Sequence, residues 1–272
     1  MSSSNLNLPD RLSELLDSTR KRVSRARRGR SIAELRDWAR SYQRRPFGAA
    51  LRHSDRLNVI AEIKRASPSK GPIRRGADAA ELAAELAAAG AAALSVLTAP
   101  SGFDGALSDL TAARAACELP LLRKDFIIDP WQVGQSAAAG ADAILLIVAA
   151  LEDAQLRELL GAAAEWDLAA LVEVHDRAEL ERALACGAAI VGVNNRDLHS
   201  FRVDPEACAA LAAELPAGVL KIAESGLSSR AEIERLRALG YDAFLIGEAL
   251  MRAPRPGAKL RELIGAAPEP EP

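Results

Sequence analysis

A glutamate and a lysine stand two residues apart in residues 59–71, Val-Ile-Ala-Glu-Ile-Lys-Arg-Ala-Ser-Pro-Ser-Lys-Gly, just before an apolar run breaks into a polar loop. Side chains alternate along an extended strand, so Glu62 and Lys64 project from one face. An acid and a base at the carboxyl end of a buried strand are costly to desolvate, and function is the usual reason for keeping them there. The other reading is an edge strand carrying a surface ion pair. Lysine is informative because the chain prefers arginine: its lysines are Lys21, Lys64, Lys70, Lys124, Lys221 and Lys259. Arginine keeps its proton in a protein, whereas burial and neighbours can tune a lysine into a general acid.

Other apolar runs end the same way. Lys124 follows one in Arg-Lys-Asp-Phe, Glu173 sits in Leu-Val-Glu-Val, Asn194 and Arg196 lie in Val-Asn-Asn-Arg-Asp-Leu, and Glu224 and Ser225 lie in Ala-Glu-Ser-Gly. Lys221, at the opposite end of its run, reads as structural.

These residues need elements to position them. Short β-branched runs at 57–63, 91–97, 120–123, 142–148, 169–174, 188–193, 218–223 and 242–246 predict strands. Alanine-rich stretches at 78–89, 105–117, 130–139, 151–165, 176–186, 204–214, 228–239 and 256–264 predict helices between and after them. Asp78, Ser228 and the Asp129-Pro130 pair read as helix starts, and Gly90, Gly140, Gly187 and Gly240 as left-handed helix ends. Eight strand–helix units without a dinucleotide-binding glycine fingerprint predict an α/β protein, a closed (β/α)₈ TIM barrel, over residues 57–265. Amphipathic stretches at 8–18 and 31–41 predict that residues 1–56 form a helical extension packed on the barrel, and the Pro/Glu-rich residues 266–272 a disordered tail.

In such a barrel the site lies at the carboxyl ends of the strands, where the polar residues above converge. Ser225-Gly226 and Gly247-Glu248 each place a glycine between a strand and the next helix, a pattern that offers bare backbone amides to an anion; two tight turns remain the alternative. The loop from Pro68 to Pro72 reads as flexible, able to close over a substrate.

Composition excludes several classes. A formal charge of −2 gives no case for nucleic acid as a partner. Cys117, Cys186 and Cys208, and His53, His175 and His199, are dispersed without ligand spacing, which argues against a disulfide framework or a metal centre. The stretch from Ala143 to Leu151 is far short of the roughly 20 residues of a membrane span, and residues 1–8 lack a signal peptide's apolar core, so the cytoplasm is expected. Residues 20–30 carry seven basic side chains and no acid, and read as a solvated helix face.

The motifs resemble those of the indole-3-glycerol-phosphate synthase family of tryptophan biosynthesis. Ala-Glu-Ile-Lys-Arg-Ala-Ser-Pro-Ser, Leu-Leu-Arg-Lys-Asp-Phe-Ile-Ile-Asp, Leu-Val-Glu-Val-His, Val-Asn-Asn-Arg-Asp-Leu, Ala-Glu-Ser-Gly and Ile-Gly-Glu-Ala-Leu-Met stand in family order, and Arg45-Pro46-Phe47 resembles the family's N-terminal extension. The resemblance implies a lyase that closes, decarboxylates and dehydrates 1-(2-carboxyphenylamino)-1-deoxyribulose 5-phosphate, needing no metal and no redox cofactor. It further implies Lys124 as general acid and Glu173 as general base, with Lys64 and Glu62 assisting dehydration. Asn194 and Arg196 would orient the anthranilate portion, Arg196 and Ser67 facing its carboxylate. Glu224 would meet the sugar hydroxyls, and Ser225, Gly226, Gly247 and Glu248 would surround the phosphate. The chain departs from the family after the second strand, where Ala99-Pro100-Ser101-Gly102-Phe103 lacks an acid and one aromatic residue. Phe103 remains to stack on the anthranilate ring, so the departure bears on loop mobility and affinity rather than on the reaction.

The expected partner is therefore a small phosphorylated molecule, with no nucleic acid and no membrane, and the chain is expected as a monomer or weak homo-oligomer. The rivals are phosphoribosylanthranilate isomerase, which would need a cysteine and an aspartate at strand ends, a catalytically silent barrel, and a nucleic-acid binder acting through residues 20–30.

Overall fold

The computed structural model describes residues 11–197 and 203–267. Eight parallel strands close into a barrel: β1 Asn58–Ile63, β2 Ala93–Leu97, β3 Leu121–Lys124, β4 Ala143–Ile147, β5 Ala169–Val174, β6 Ile190–Asn194, β7 Leu220–Glu224 and β8 Ala243–Ile246. β1 pairs with β2 on one side and with β8 on the other, so Glu62 and Lys64 end an interior strand and the edge-strand reading falls.

Alternation explains two concentric cores. Ile60, Leu122, Leu145, Leu171, Ile222 and Leu245 fill the barrel interior, while Val59, Leu94, Leu121, Ile144, Val172 and Phe244 turn outward against the helices. The helices are α4 Ala79–Ala88, α5 Leu107–Ala116, α6 Pro130–Ala138, α7 Asp153–Glu165, α8 Arg177–Ala185, α9 Ala207–Leu211, α10 Arg230–Ala238, α11 Glu248–Arg252 and α12 Pro256–Ile264. Asp78 caps α4 by accepting from the Ala80 and Glu81 amides, and Asp129 caps α6 with Pro130 in the first turn. Gly90, Gly140, Gly187 and Gly240 all take positive φ just past their helices.

Some expectations need correction. Ser229, not Ser228, caps α10, in a reciprocal arrangement with Glu232. The helix expected over 204–214 is split into α9 and a 3₁₀ turn at Ala212–Glu214. The loop after β1 is not simply flexible, because Ala66–Ser67 pairs antiparallel with Gly71–Pro72. A five-residue helix, α11, follows β8 directly.

Before the barrel come α1 Arg11–Arg27, α2 Ile32–Ala39 and α3 Phe47–Ala50. The first runs well beyond the expected end at residue 18, and this changes the basic run. Arg22 is not on a merely solvated face: its guanidinium donates twice to Asp125, at 2.6 and 3.0 Å, and Arg27 pairs with Asp129 at 2.7 Å. Arg11 donates to the Pro68 carbonyl and Ser18 bonds Ser101, so the same helix holds the loops after β1 and β2. At the barrel's amino end Phe47 and Leu51 join the interior core, and the buried Asn58 amide donates to the Leu51, His53 and Asp242 carbonyls across the β1–β8 seam. Residues 1–10 and 268–272, and with them most of the expected tail, lie outside the described residues, as does His199. Among the described residues no helix is long and apolar enough to cross a membrane.

The β3 residues flanking Lys124 are held in the strand–helix layer. Fully buried Arg123 pairs with Asp125 at 2.9 Å and donates to Thr98, Gln135 and Ser136. Asp125 also accepts from Thr98 at 2.8 Å and from the Phe126 amide at 2.9 Å. Removing one partner of such a pair strands the other charge. Asp125→Ala is therefore expected to lower unfolding free energy by about 3–5 kcal/mol in urea titration, and a loss under about 1 kcal/mol would contradict this role.

Candidate active site

All thirteen residues singled out from the sequence line one cavity of about 420 Å³ at the carboxyl ends of the strands. Apolar walls come from Leu97, Ala99, Phe103, Phe126, Leu145, Ile147 and Leu245. Phe103 and Phe126 lie 6.4 Å apart between ring centroids, tilted by 50°.

The polar floor is built around Lys124. Its ammonium donates to Glu173 at 2.8 Å and to Glu224 at 3.1 Å, and both carboxylate side chains are only 1% exposed. Burial alone would strip the lysine's proton, but the fields of Glu173, Glu224 and Glu62 more than offset it and hold the ammonium above its usual range. One cation serves two anions, and the carboxylates diverge. Burial would raise Glu173, yet Lys124, His175 and Asn194 bring it down to about 2. Burial raises Glu224, and the nearby Glu173 charge adds to it, so Glu224 is pushed up to about 8 despite Lys124. Such a split assigns the ionised role to Glu173 and the neutral role to Glu224.

Across the cavity Lys64 pairs with Glu62 at 2.8 Å. Two glycines make room for these carboxylates. A Cβ on Gly247 would fall 2.5 Å from Glu62 Oε1 and 3.0 Å from Lys64 Nζ, and one on Gly192 would collide with Glu224 Oε1. The Glu62 Oε2, Glu224 Oε1 and Ser67 Oγ atoms are buried without a hydrogen-bond partner among the described residues, which leaves acceptor and donor capacity in the cavity wall.

The rim carries the remaining charges. Arg196, placed by an Asn194 side chain that accepts its amide, donates to Ser69 at 2.9 Å and reaches Glu248 at 3.4 Å. Glu248 also pairs with Arg252 at 3.0 Å; burial would raise its carboxyl, but Arg252, Lys64 and Lys70 hold it below the usual range. Ser225 and Gly226 both adopt positive φ, at 65° and 78°, and Asn195 secures that turn by donating to the Ser225 carbonyl. Cys117 and Cys186 cap the carboxyl ends of α5 and α8 and Cys208 lies in α9, away from the strand ends that an isomerase's cysteine would need.

The sequence placed Ser69 and Lys70 only in a loop able to close over a substrate, and gave no role to Arg252 on the rim or to Gly192 beneath Glu224. Gly192 carries a local signal, a glycine inside an otherwise β-branched strand. The rim partners carry none, because their meaning depends on residues far along the chain.

The indole-3-glycerol phosphate synthase family model matches residues 12–263. An indole-3-glycerol phosphate synthase of Koribacter versatilis is 50% identical over 256 residues, covering 93% of this chain and 98% of its own. One from Aromatoleum aromaticum is 45% identical over 262 residues, covering 95% and 100%. One from Acidithiobacillus ferrooxidans is 54% identical over 206 residues, covering 76% and 78%. Among solved structures, 3-hexulose-6-phosphate synthase from Salmonella typhimurium superposes with a TM-score of 0.59 at 13% identity, over 76% of this chain and 96% of that one, a likeness of fold. With the barrel closed, the strand-end charges in one cavity and relatives matched over nearly their whole length, the chain belongs to the indole-3-glycerol phosphate synthase family.

Proposed function

We propose that this chain converts 1-(2-carboxyphenylamino)-1-deoxyribulose 5-phosphate to indole-3-glycerol phosphate, carbon dioxide and water. The observation that carries the reading is the Lys124 ammonium held between Glu173 and Glu224 on the floor of an apolar-walled cavity. A lysine kept fully protonated enters the reaction as a cation, and an oxygen that becomes an alkoxide is basic enough to take its proton.

The ring carbon bearing the carboxylate attacks the ribulose carbonyl while Lys124 Nζ protonates the carbonyl oxygen. Carbon dioxide then leaves with its bonding electrons returned to the ring. Lys64, steadied by Glu62, supplies the proton with which the new hydroxyl departs as water. Glu173 takes the proton from the carbon next to nitrogen, so one proton is consumed per turnover. Asn194, Arg196 and Ser67 orient the anthranilate end, and Phe103 stacks on its ring. Neutral Glu224 meets the sugar hydroxyls, and Ser225, Gly226, Gly247 and Glu248 surround the phosphate, with cationic Lys64, Lys70 and Arg252 close by. Docking of Arg22 and Arg27 on Asp125 and Asp129 supports the reading that the basic run serves no nucleic acid. A small soluble phosphorylated substrate fits a cytoplasmic site.

The test mixes purified chain with the carboxyphenylamino-deoxyribulose phosphate in EDTA and follows indole fluorescence. Turnover by the wild type is expected, with a loss of at least about 10²-fold in Lys124→Ala. Near-normal turnover by that variant would exclude the mechanism, and no turnover by a folded wild type would exclude the function.

Glu224 and Glu173 make opposite contributions to stability with pH. A raised carboxyl such as Glu224 stabilises below its ordinary value and loses that contribution as pH rises through about 8. A depressed one such as Glu173 stabilises above its ordinary value and loses that contribution as pH falls toward about 2. Thermal unfolding of Glu224→Gln is thus expected to improve relative to wild type as pH rises from 4.5 to about 8. A difference independent of pH would refute the neutral assignment of Glu224.

A further inference from the structure

His175 stands one residue past β5 and two past Glu173, so the strand's alternation returns it to the side from which Glu173 enters the mouth. Its side chain is only 10% exposed. Nδ1 lies 2.9 Å from Glu179 Oε2 at the start of α8, and the same oxygen accepts the His175 backbone amide at 2.8 Å. Nε2 faces Glu173 Oε1 at 3.5 Å and is buried with no closer polar partner. The other Glu173 oxygen, Oε2, is the one bonded to Lys124. The two oxygens of the buried carboxylate are therefore divided, one toward the ammonium and one toward the imidazole.

We propose that His175, braced by Glu179, is a positioning residue that holds Glu173 through Oε1, keeping the carboxylate ionised and its second oxygen turned to Lys124. The chemistry of the ring argues for this. A neutral imidazole that donates from Nδ1 to Glu179 turns a lone pair on Nε2 toward Glu173, and a lone pair repels a carboxylate. Only the imidazolium donates to both. The groups facing the ring are Glu173 from β5, Glu179 from α8 and Glu224 from β7, with Lys124 of β3 behind Glu173. Burial lowers the imidazole, but the Glu179 hydrogen bond and the Glu173, Glu179 and Glu224 charges outweigh it and hold the ring above its ordinary value. Glu179, 17% exposed, anchors the arrangement at the solvent side.

The catalytic part of this inference rests on the proposed reaction, whereas the pairing does not. Ring-nitrogen NMR of the full chain reads the pairing alone, with His175→Asn assigning the signal. The ring is expected to titrate above about 6.5 and to move down in both Glu179→Gln and Glu173→Gln. A titration unmoved by Glu173→Gln overturns the proposal.

Kinetics on the carboxyphenylamino-deoxyribulose phosphate read the consequence. His175→Asn is expected to lower kcat by at least about tenfold, KM staying within about twofold, since positioning of the base contributes to kcat. The part of the wild-type alkaline kcat limb set by loss of the imidazolium, beside the part set by the Glu224 acid, should vanish in His175→Asn and move to lower pH in Glu179→Gln. A kcat within twofold of wild type and a parallel profile in both variants would overturn the role. If His175→Asn fails to fold, Glu179→Gln, at the solvent side, decides the matter through the same limb. A ring coupled to Glu173 in a protein that does not turn over the adduct would leave the pairing standing and remove the proposed reaction.

Discussion

One ammonium shared by two carboxylates that water scarcely reaches sets the terms for the barrel mouth. Charges removed from solvent must be matched, and Lys124 cannot match both Glu173 and Glu224. The surplus is resolved by chemistry rather than by distance: Glu173 stays ionised beside its extra partners, and Glu224 leans toward the neutral acid. Backbone choices follow from this. Gly192 and Gly247 are bare where any side chain would press on a carboxylate of the site. The glycine after β8 thus serves the Glu62–Lys64 pair as well as whatever anion its loop meets.

The same strand carries a second charge system on its other face. Arg123 and Asp125 knit β3 to the loop after β2 and to α6, and Arg22 adds α1 to them. Lys124 is fixed between two residues that are themselves fixed. A long lysine side chain carries much rotamer entropy, and ordering its backbone this firmly leaves only the side chain to be held by carboxylates. The altered segment after β2 gains a tie of its own, because Ser101 bonds Ser18 of α1, and a Cβ on Gly102 would meet Pro68.

Much of this was legible in the residues. β-branched apolar runs marked the barrel strands, five of them ending in polar or charged side chains, and period-two alternation put Glu62 and Lys64 on one face. What escaped reading was long-range or depended on competing local options. Ser228 and Ser229 are equally good caps by type, and only the reach of Glu232 chooses between them. The length of α1 was hidden because arginines at 20–28 carry no apolar period, although they form helix readily and two of them find acids about a hundred residues away. Asp125 drew no reading of its own within Arg-Lys-Asp-Phe. His175 looked like one of three scattered histidines, since the partner that matters, Glu173, is recognisable only once its own role is seen.

The Arg22–Asp125 contact spans 103 residues, while the Asn58–Asp242 seam spans 184. On a chain emerging from the ribosome amino end first, the helical extension must wait for the third strand, and the barrel itself cannot close until the eighth has appeared. Both partners of the α1–β3 contact therefore exist on the growing chain well before both partners of the β1–β8 seam do.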